Sequence, residues 1–386
     1  MSLILDSKLP NAGQSIFSVM SQLATQQQAL NLAQGFPEFN PPSELIQFVT
    51  DAMNSGKNQY APMPGYLSFR EEIAKKESEI HGNRLNPESE ITVVPGATFG
   101  LFVAIQTLVK PGDEVLILEP AYDSYEPAIA LAGGKTVRVT INLHDFSIPW
   151  DVVKSKVNAK TKLIIVNTPH NPLGTVFSQE DWNALSEIIQ QSNAYVLSDE
   201  VYEHMVFDGG KHISVLNIEG LENRCIKVSS FGKTYHCTGW KLGYLSACES
   251  MTAELRKVYQ FLAFACNSTA QFGIENFMKI PNQWEKKLSV FYEQKRNLFC
   301  EHLQNSQWKL LPCQGSYFQI LKYEGTQEMS LMNDYEFSVE LTKVAKIASI
   351  PVSAFCENRE KTNLLRFCFA KNDDTLIQAA QILCSL

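Results

Sequence analysis

The chain has 386 residues, of which 45% are hydrophobic and 19% are charged, and this composition is typical of a globular protein with a sizeable core. As a prior, this length indicates about two domains. The net charge of −8 argues against a nucleic-acid surface and against an anionic membrane surface as partners. No apolar run reaches the roughly 18 residues that a transmembrane helix requires.

The cysteines and the N-terminus indicate the compartment. Nine cysteines are present, an odd number, and none forms a C-x-x-C pair. A disulfide framework or a zinc site is therefore not expected, and free thiols in a reducing cytoplasm are the better interpretation. Residues 1–10 lack a basic stretch followed by an apolar core, so no signal peptide is predicted.

Short apolar runs alternate with helical patterns through the centre of the chain. Strands are predicted at Glu114–Leu118, Thr136–Val139, Leu163–Asn167, Tyr195–Ser198, Ile226–Ser229 and Tyr244–Ala247, and helices at Glu44–Asn54, Leu67–His81, Thr98–Val109, Gln179–Gln190 and Met251–Phe264. This alternation predicts βαβ units, hence an α/β fold with a mainly parallel sheet covered on both faces, in three layers.

The pattern changes near residue 285. A long helical pattern over Gln283–Gln304 is followed by strand-like Gly315–Ile320, helical Tyr335–Ala345, strand-like Leu364–Phe369 and a last helix. We therefore predict a large domain at residues 41–285 and a smaller α+β domain at 286–386. Residues 1–40 show little regular pattern and are expected to pack on the smaller domain as an arm.

The segment Ser229–Tyr235 follows the strand predicted at Ile226–Ser229 and reads Ser-Ser-Phe-Gly-Lys-Thr-Tyr. It places Lys233 just past the carboxyl end of a strand, where open α/β sheets bind their ligands. A lysine amine that loses its proton in such a pocket can form a Schiff base with an aldehyde. Ser230 and Lys241 suit a phosphate, as a hydroxyl donor and a point charge. A surface turn of small residues is the structural alternative.

Three small residues, Gly96, Ala97 and Thr98, lie between the strand-like Ile91–Val94 and a predicted helix. Small residues let the backbone approach an anion, and the free N–H groups at a helix start donate hydrogen bonds to it. An ordinary strand–helix turn is the alternative. The segment is neither G-x-G-x-x-G nor a Walker loop, so dinucleotide and nucleoside-triphosphate sites lack their fingerprints.

Polar residues follow two further strands. Asp199 directly follows the strand predicted at Tyr195–Ser198, where its carboxylate can pair with a pyridinium nitrogen. Tyr202, three residues later, can reach a phenolic oxygen of the same ring. A helix N-cap is the alternative interpretation of this segment. Asn171 offers an amide in Asn167–Gly174, a segment that can equally be a cluster of turns.

Arg366 lies between apolar residues in the strand-like Leu365–Phe369. Burial of an arginine is costly unless the charge is paired, and its planar fork fits a carboxylate in bidentate fashion, so an internal salt bridge and a substrate carboxylate are both open. Together, four consecutive strand ends would supply a phosphate cradle, an amide, a carboxylate with a tyrosine, and a lysine. With a carboxylate receptor added, these are the parts that a pyridoxal-phosphate enzyme for amino acids needs.

These motifs resemble those of the fold type I aminotransferases of class I and II, and among them the kynurenine and glutamine transaminase K group with its bacterial methionine aminotransferase relatives. The resemblance is carried by Asn31–Pro42, Asn58–Arg70, Gly112–Tyr125, Asn167–Phe177, Ser198–Tyr202, Ser229–Gly243, Gly315–Phe318 and Arg366–Lys371. It implies an aspartate aminotransferase-like fold, pyridoxal 5′-phosphate as cofactor, no metal, amino-acid and 2-oxo-acid substrates, and a homodimer with shared active sites.

The resemblance also implies roles for individual residues. Lys233 matches the lysine that binds the cofactor and later moves the substrate proton, Asp199 matches the partner of the pyridinium nitrogen, and Asn171 and Tyr202 match the residues that bind the phenolic oxygen. The phosphate cradle is matched by Gly96, Ala97, Thr98, Ser230 and Lys241. Tyr122 matches the aromatic residue that stacks on the cofactor ring, and Tyr60 matches the tyrosine that reaches to the neighbouring subunit's phosphate. Gly35 and Arg366, with Asn171, match the residues that bind the substrate carboxylate.

The side-chain pocket that the resemblance implies, formed by Phe17, Tyr60, Phe264 and Phe355, is aromatic and apolar. It suits methionine, phenylalanine, tyrosine, glutamine or kynurenine better than aspartate, with transamination in a ping-pong sequence. Phe17 stands where kynurenine-using relatives have tryptophan. A cysteine-conjugate β-lyase on the same scaffold is the alternative, because the outcome depends on a leaving group at Cβ. A non-catalytic regulator is disfavoured, because no basic helix pair precedes the recognised fold.

Overall fold

The computed structural model describes residues 6–10, 12–281, 283–323, 332–358 and 362–386. Its helices are α1 Ile16–Gln27, α2 Ser43–Asn54, α3 Leu67–His81, α4 Ala97–Leu108, α5 Tyr125–Leu131, α6 Trp150–Lys156, α7 Gln179–Gln190, α8 Phe231–Thr234, α9 Glu249–Leu262, α10 Ser268–Met278, α11 Trp284–Leu303, α12 Asp334–Val344 and α13 Asp373–Cys384. Its strands are β1 Leu30–Asn31, β2 Ile91–Val94, β3 Glu114–Glu119, β4 Lys135–Thr140, β5 Thr161–Asn167, β6 Tyr195–Asp199, β7 Cys225–Ser230, β8 Gly243–Ala247, β9 Trp308–Leu310, β10 Phe318–Tyr323, β11 Ile347–Ala348, β12 Ile350–Pro351 and β13 Leu364–Cys368. Among the described residues, no helix is both long and apolar enough to span a membrane.

Seven strands form the main sheet, in the order β2-β8-β7-β6-β5-β3-β4. Alternate residues of β5 pack on opposite faces: Leu163 and Ile165 contact one hydrophobic cluster together with α4, α5 and α9, while Ile164 and Val166 contact another together with α7. A strand covered on both faces needs apolar residues at every position, which explains its continuous apolar run. The predicted three-layer α/β arrangement with a mainly parallel sheet is confirmed.

The carboxyl ends of β2, β5, β6 and β7 lie at one edge of this sheet, because β8 runs antiparallel to both β2 and β7. The expectation of four consecutive strand ends is wrong in one respect, since β8 separates β2 from β7. The amino end of β8 meets the same edge, and Lys241, two residues before this strand, lies there. The antiparallel strand therefore brings a cation to the ends of the parallel strands.

A second sheet of four antiparallel strands, in the order β12-β13-β10-β9, forms the smaller α+β part of the fold. Its apolar residues pack with helices α11, α12 and α13. The strand β10 begins later than the Gly315–Ile320 segment predicted, because Ser316 has a positive φ of 66° and the chain turns there before it extends.

The expectation of little regular structure in residues 1–40 is wrong, because α1 occupies Ile16–Gln27. Met20 and Ala24, four residues apart, are buried on one face of this helix, and the Ser15 hydroxyl accepts a hydrogen bond from the Phe17 N–H at its start. A serine N-cap followed by apolar residues at a spacing of four is a helix signal. After α1, β1 pairs with β11 of the smaller part.

Candidate active site

A cavity of about 290 Å³ opens at the carboxyl edge of the main sheet. Most of the site residues expected from the sequence line it: Phe17, Gly35, Gly96, Ala97, Thr98, Tyr122, Asn171, Asp199, Tyr202, Ser230, Lys233, Lys241 and Arg366. The main sheet, the small sheet and the N-terminal segment all contribute to this list. Residues more than 300 positions apart in sequence thus form one surface.

Lys233 lies in the single turn α8, directly after β7. Its Nζ donates hydrogen bonds to the Tyr317 hydroxyl at 2.9 Å and to the Gly35 carbonyl at 3.1 Å. Burial lowers the pKa of this amine to about 8, and the charges of Arg366 and Lys241 act in the same direction. The amine can therefore lose its proton close to neutral pH, which is a requirement for a nucleophile or a base.

Asp199 lies at the end of β6 and is almost fully buried. Its Oδ2 accepts a hydrogen bond of 2.7 Å from the Tyr125 hydroxyl, whereas its Oδ1 has no hydrogen-bond partner among the described residues. Burial raises the pKa of this carboxyl to about 6, although the Tyr125 hydrogen bond lowers it. An unpaired buried acceptor costs free energy, so the cavity presents one oxygen that a ligand N–H can satisfy.

The start of α4 faces a lysine across the cavity. Gly96 precedes the helix with a positive φ of 84°, and no side chain caps the first turn. A Cβ placed on Gly96 would lie 3.6 Å from Lys241 Nζ, so the ammonium is close to the helix N-terminus. The Thr98 hydroxyl lies 3.3 Å from the Tyr122 hydroxyl at this end. The N-terminus of α4 carries a partial positive charge and the Lys241 ammonium a full one, so the space between them favours an anion.

Arg366 is fully buried in β13. Its Nη1 donates to Asn171 Oδ1 and its Nη2 to the Ala33 carbonyl, both at 2.7 Å, while its Nε has no partner in the described part of the chain. None of the ion pairs between described residues includes Arg366, so the internal salt bridge that the sequence left open is not found there. Burial lowers the pKa of the guanidinium to about 10, and the group stays cationic at pH 7.

Three aromatic rings surround this guanidinium. Its carbon lies 4.0 Å from the ring centroid of Phe318, 5.1 Å from that of Phe17 and 5.3 Å from that of Phe355. A Cβ on Gly35 would lie 2.9 Å from the Phe318 ring, so this glycine leaves room for the stacked ring. The cation is thus held by rings and neutral oxygens, and its charge remains available to a ligand.

Three of the expected residues do not line the cavity of this chain. Phe355 lies behind Phe17, with ring centroids 5.8 Å apart. Tyr60 and Phe264 contact each other edge to face at 5.5 Å, and they are 82% and 54% exposed. Large aromatic side chains with this exposure are available to a second molecule rather than to this cavity.

Several cavity or contact residues were not singled out from the sequence. Asn167 fixes the end of β5, because its Nδ2 donates to the Asp199 carbonyl and its Oδ1 accepts from the Asn171 N–H. Tyr125 and Tyr317 contact the two ionisable groups described above. Both lie inside segments that carried the resemblance, Gly112–Tyr125 and Gly315–Phe318, so the motif was visible but the partner of each hydroxyl was not.

A cluster of buried charges lies next to β6 and β7, on the side away from the cavity. Lys227 Nζ donates to Glu203 at 2.6 Å and to Glu77 at 2.7 Å, and His81 Nε2 lies 2.9 Å from Glu203. His81, Glu203 and His204 have ligand atoms close enough to hold a metal ion. The ammonium groups of Lys227 and Lys76 already contact the Glu203 carboxylate, so the cluster is neutralised by the chain's own cations.

The family of the chain follows from comparison with known proteins. Residues 27–383 match the family model of the class I and II aminotransferases, and the chain therefore belongs to this family.

The chain is 44% identical to the methionine aminotransferase of Escherichia coli K12, over 98% of this chain and 97% of that protein. It is 33% identical to kynurenine–oxoglutarate transaminase 3 of Mus musculus, over 95% of this chain and 87% of that protein. The fold is similar to the crystal structure of YbdL from Escherichia coli, a protein identified as a methionine aminotransferase, with a TM-score of 0.96, 43% identity and coverage of 100% of both chains.

The resemblance carried by the sequence motifs is thereby confirmed. The chain is a pyridoxal-phosphate-dependent aminotransferase with the aspartate aminotransferase-like, fold type I architecture.

The raised pKa of Asp199 predicts a pH-dependent cost to the apo-protein. The folded carboxyl has a pKa of about 6 against an ordinary 3.8, so the folded state binds this proton more tightly and stability falls as pH rises from about 4 to about 6. Asp199→Asn removes that cost. The unfolding free energy of the apo-variant minus that of the wild-type apo-protein should therefore be about 2–3 kcal/mol larger at pH 8 than at pH 4. Urea denaturation at the two pH values measures this difference.

The exposed Asp51→Asn is the control for the same chemical change at a surface position. If Asp199→Asn differs from the wild type by the same amount at both pH values, the folded carboxyl does not carry a raised pKa.

Proposed function

We propose that the enzyme transfers the amino group of an amino acid with an apolar, aromatic or thioether side chain to a 2-oxo acid. Methionine, phenylalanine, tyrosine, glutamine and kynurenine are the candidate donors. The proposal depends on three groups that one cavity brings together. They are a lysine amine with a pKa near 8, a buried carboxylate oxygen and a buried arginine; among the described residues, the oxygen has no donor and the arginine has no carboxylate partner. Each of these groups lacks the partner that an amino-acid substrate or its cofactor supplies.

The cavity residues fit pyridoxal phosphate. Asp199 Oδ1 would accept from the pyridinium nitrogen, Tyr122 would stack on the ring, and Asn171 and Tyr202 would bind the phenolic oxygen. The phosphate would lie at the start of α4, held by Gly96, Ala97, Thr98, Ser230 and Lys241. When bound, the cofactor supplies an aldehyde that forms an imine with an amine and a ring that takes up the electron pair of a broken Cα–H bond.

The chain's own residues account for substrate binding and proton movement. The Arg366 guanidinium, whose Nε has no partner among described residues, would bind the substrate carboxylate, assisted by Gly35 and Asn171. The Lys233 amine, freed from the cofactor by the substrate amine, would take the Cα proton as a general base and return it to the cofactor carbon. Release of one oxo acid before the second binds gives ping-pong kinetics.

The position of the cavity suggests that both proposed domains and the N-terminal arm contribute to substrate binding. It lies where the proposed large domain (41–285) meets the proposed small domain (286–386) and the N-terminal arm (1–40). Phe17, on the arm, and Phe318 supply apolar walls next to Arg366. Arg366 is the one arginine among the described residues that line the cavity, so a second carboxylate of an acidic donor would lack a partner.

The exposed aromatic residues support a homodimer. Tyr60, Phe261 and Phe264 are 82%, 86% and 54% exposed, and burying them would remove a large apolar area from water. We propose that Tyr60 reaches the phosphate in the neighbouring subunit and that Phe264 lines the neighbour's substrate pocket.

All nine cysteines are free thiols, which supports a cytoplasmic location.

A screen of amino donors tests the proposed substrate class. The purified holo-enzyme is mixed with single amino acids, and the absorbance of the cofactor is followed as it converts to the amine form. Methionine and the aromatic donors should convert it, and aspartate should react at least about tenfold more slowly, because its side-chain carboxylate has no arginine. Release of pyruvate and ammonia from a cysteine conjugate, with no reaction of methionine, would instead establish the β-lyase.

The role of Lys233 is tested by Lys233→Ala. The variant should lose the absorbance band of the lysine-bound cofactor and at least about 10³-fold in turnover, because both the nucleophile and the base are removed. Lys257→Ala removes an exposed lysine paired with Glu254 and should behave as the wild type. Turnover retained by Lys233→Ala overturns the assignment.

Complementation tests the shared active sites. Lys233→Ala and Tyr60→Ala are each expected to be impaired; in a heterodimer, one site receives both substitutions and the other receives neither. Mixing and re-association should therefore restore activity to about a quarter of the wild-type value, in a species of twice the chain mass of 43.4 kDa by sedimentation. If each site used its own Tyr60, mixing would restore nothing.

A further inference from the structure

The Lys233 amine is held by two oxygen atoms that form a triangle with it. Nζ donates to the Tyr317 hydroxyl at 2.9 Å and to the Gly35 carbonyl at 3.1 Å. The Tyr317 hydroxyl itself donates to the same Gly35 carbonyl. In this arrangement the Tyr317 hydroxyl donates to Gly35 and accepts from Lys233.

A constrained turn fixes the position of Tyr317. A Cβ on Gly315 would lie 2.6 Å from the Met205 carbonyl, and Ser316, with its positive φ of 66°, donates its N–H to that carbonyl at 2.9 Å. The Tyr317 carbonyl accepts from the Phe369 N–H at 3.0 Å. Tyr317 is thus tied on one side to the loop after Tyr202 and on the other to the strand that carries Arg366.

Aromatic packing removes the remaining freedom of the ring. Tyr317 has no solvent exposure. Its ring centroid lies 5.0 Å from that of Tyr202, 4.8 Å from that of Phe318 and 5.7 Å from that of Tyr292. The hydroxyl is therefore a fixed acceptor, positioned by the fold rather than by the lysine.

We propose that Tyr317 is a positioning residue, whose hydroxyl, with the Gly35 carbonyl, holds the free Lys233 amine in place to take and return the substrate proton. The inference rests on the proposed role of Lys233.

The direction of the hydroxyl proton matters for the base. While the Tyr317 hydroxyl donates to Gly35, the lone pair of the neutral Lys233 amine is free to accept a proton. The proton of a breaking Cα–H bond would join this lone pair, and the bound cofactor would take up the electron pair of that bond. The new ammonium then donates to both oxygens, in charge-assisted hydrogen bonds, until the proton is returned.

The lysine side chain would otherwise move freely. A free amine at the end of four rotatable bonds occupies many positions, and general-base catalysis requires the nitrogen within hydrogen-bond reach of the proton. Two fixed acceptors restrict the amine to one region of the cavity. Loss of one of them should slow the proton-transfer step and leave substrate binding almost unchanged.

The test compares Tyr317→Phe with Tyr292→Phe. Tyr292 is an equally buried tyrosine next to Tyr317, and its hydroxyl has no partner among the described residues, so its removal deletes a hydroxyl without deleting a contact. In the single-turnover reaction with methionine, Tyr317→Phe should be about 10- to 100-fold slower, with a larger Cα-deuterium isotope effect and an unchanged saturation constant. Tyr292→Phe should match the wild type.

A second readout does not depend on the loaded enzyme. Modification of Lys233 in the apo-protein by trinitrobenzenesulfonate, mapped by peptide mass spectrometry, requires the neutral amine and reports its pKa. Removing an acceptor of the ammonium should lower the midpoint by about one pH unit in Tyr317→Phe. Should Tyr317→Phe fail to fold, 3-fluorotyrosine at position 317 keeps the ring and weakens the acceptor, and should shift the midpoint in the same direction by less.

The outcomes separate this inference from the proposed function. An inactive Lys233→Ala together with a Tyr317→Phe that matches the wild type in rate, isotope effect and midpoint overturns the role of Tyr317 alone. Equal losses in Tyr317→Phe and Tyr292→Phe also overturn it, because they point to packing rather than to the hydroxyl. An active Lys233→Ala overturns the proposed function itself.

Discussion

The fold keeps two charged groups out of water without giving either a complete set of partners. Asp199 has one oxygen and Arg366 one nitrogen that no described residue satisfies. Groups of this kind destabilise a folded protein, so they persist only where the surrounding structure fixes them. Asp199 is fixed by the Tyr125 hydroxyl and by the end of β6, and Arg366 by Asn171, the Ala33 carbonyl and the Phe318 ring. A ligand that satisfies both groups gains binding energy and stabilises the folded state.

The same strands show the opposite arrangement on their other side. Glu203, four residues after Asp199, is contacted by Lys227, His81 and Ser229. The Lys227 ammonium pairs with three carboxylates, those of Glu77, Glu200 and Glu203. Removing one partner from such a buried network is costly, so the network ties β7 and α3 to the segment that follows β6. Lys227 in β7 thus belongs to a paired, stabilising charge cluster, whereas Asp199 at the end of β6 lines the cavity with one oxygen unpaired among the described residues. We infer that the charge cluster around Lys227 stabilises the end of β6, which carries Asp199.

Local patterns predicted most of the elements and the residues at strand ends. Lys233, Asp199 and Asn171 could be found because each lies within four residues of the end of a predicted strand, which fixes its place near the sheet edge. The hydroxyls of Tyr125 and Tyr317 could not be paired with their targets, since those contacts join residues 74 and 84 positions apart through tertiary packing. The place of β8 was missed for a related reason: an apolar strand has the same pattern whether it runs parallel or antiparallel. The helix α1 was missed although its sequence carried the signal, since Ser15 caps it and six of its twelve residues are apolar.

Opposing influences on Lys233 explain how one amine can both take and return a proton. Burial and the charges of Arg366 and Lys241 lower its pKa to about 8, which makes the neutral form accessible near pH 7. The Tyr317 and Gly35 oxygens favour the ammonium, which keeps the amine a usable base. A much lower pKa would give a base too weak to remove a Cα proton, and a higher one would leave the amine charged and unable to accept it. Since transamination needs proton removal at one carbon and delivery at another, a pKa close to the working pH lets the same side chain perform both steps.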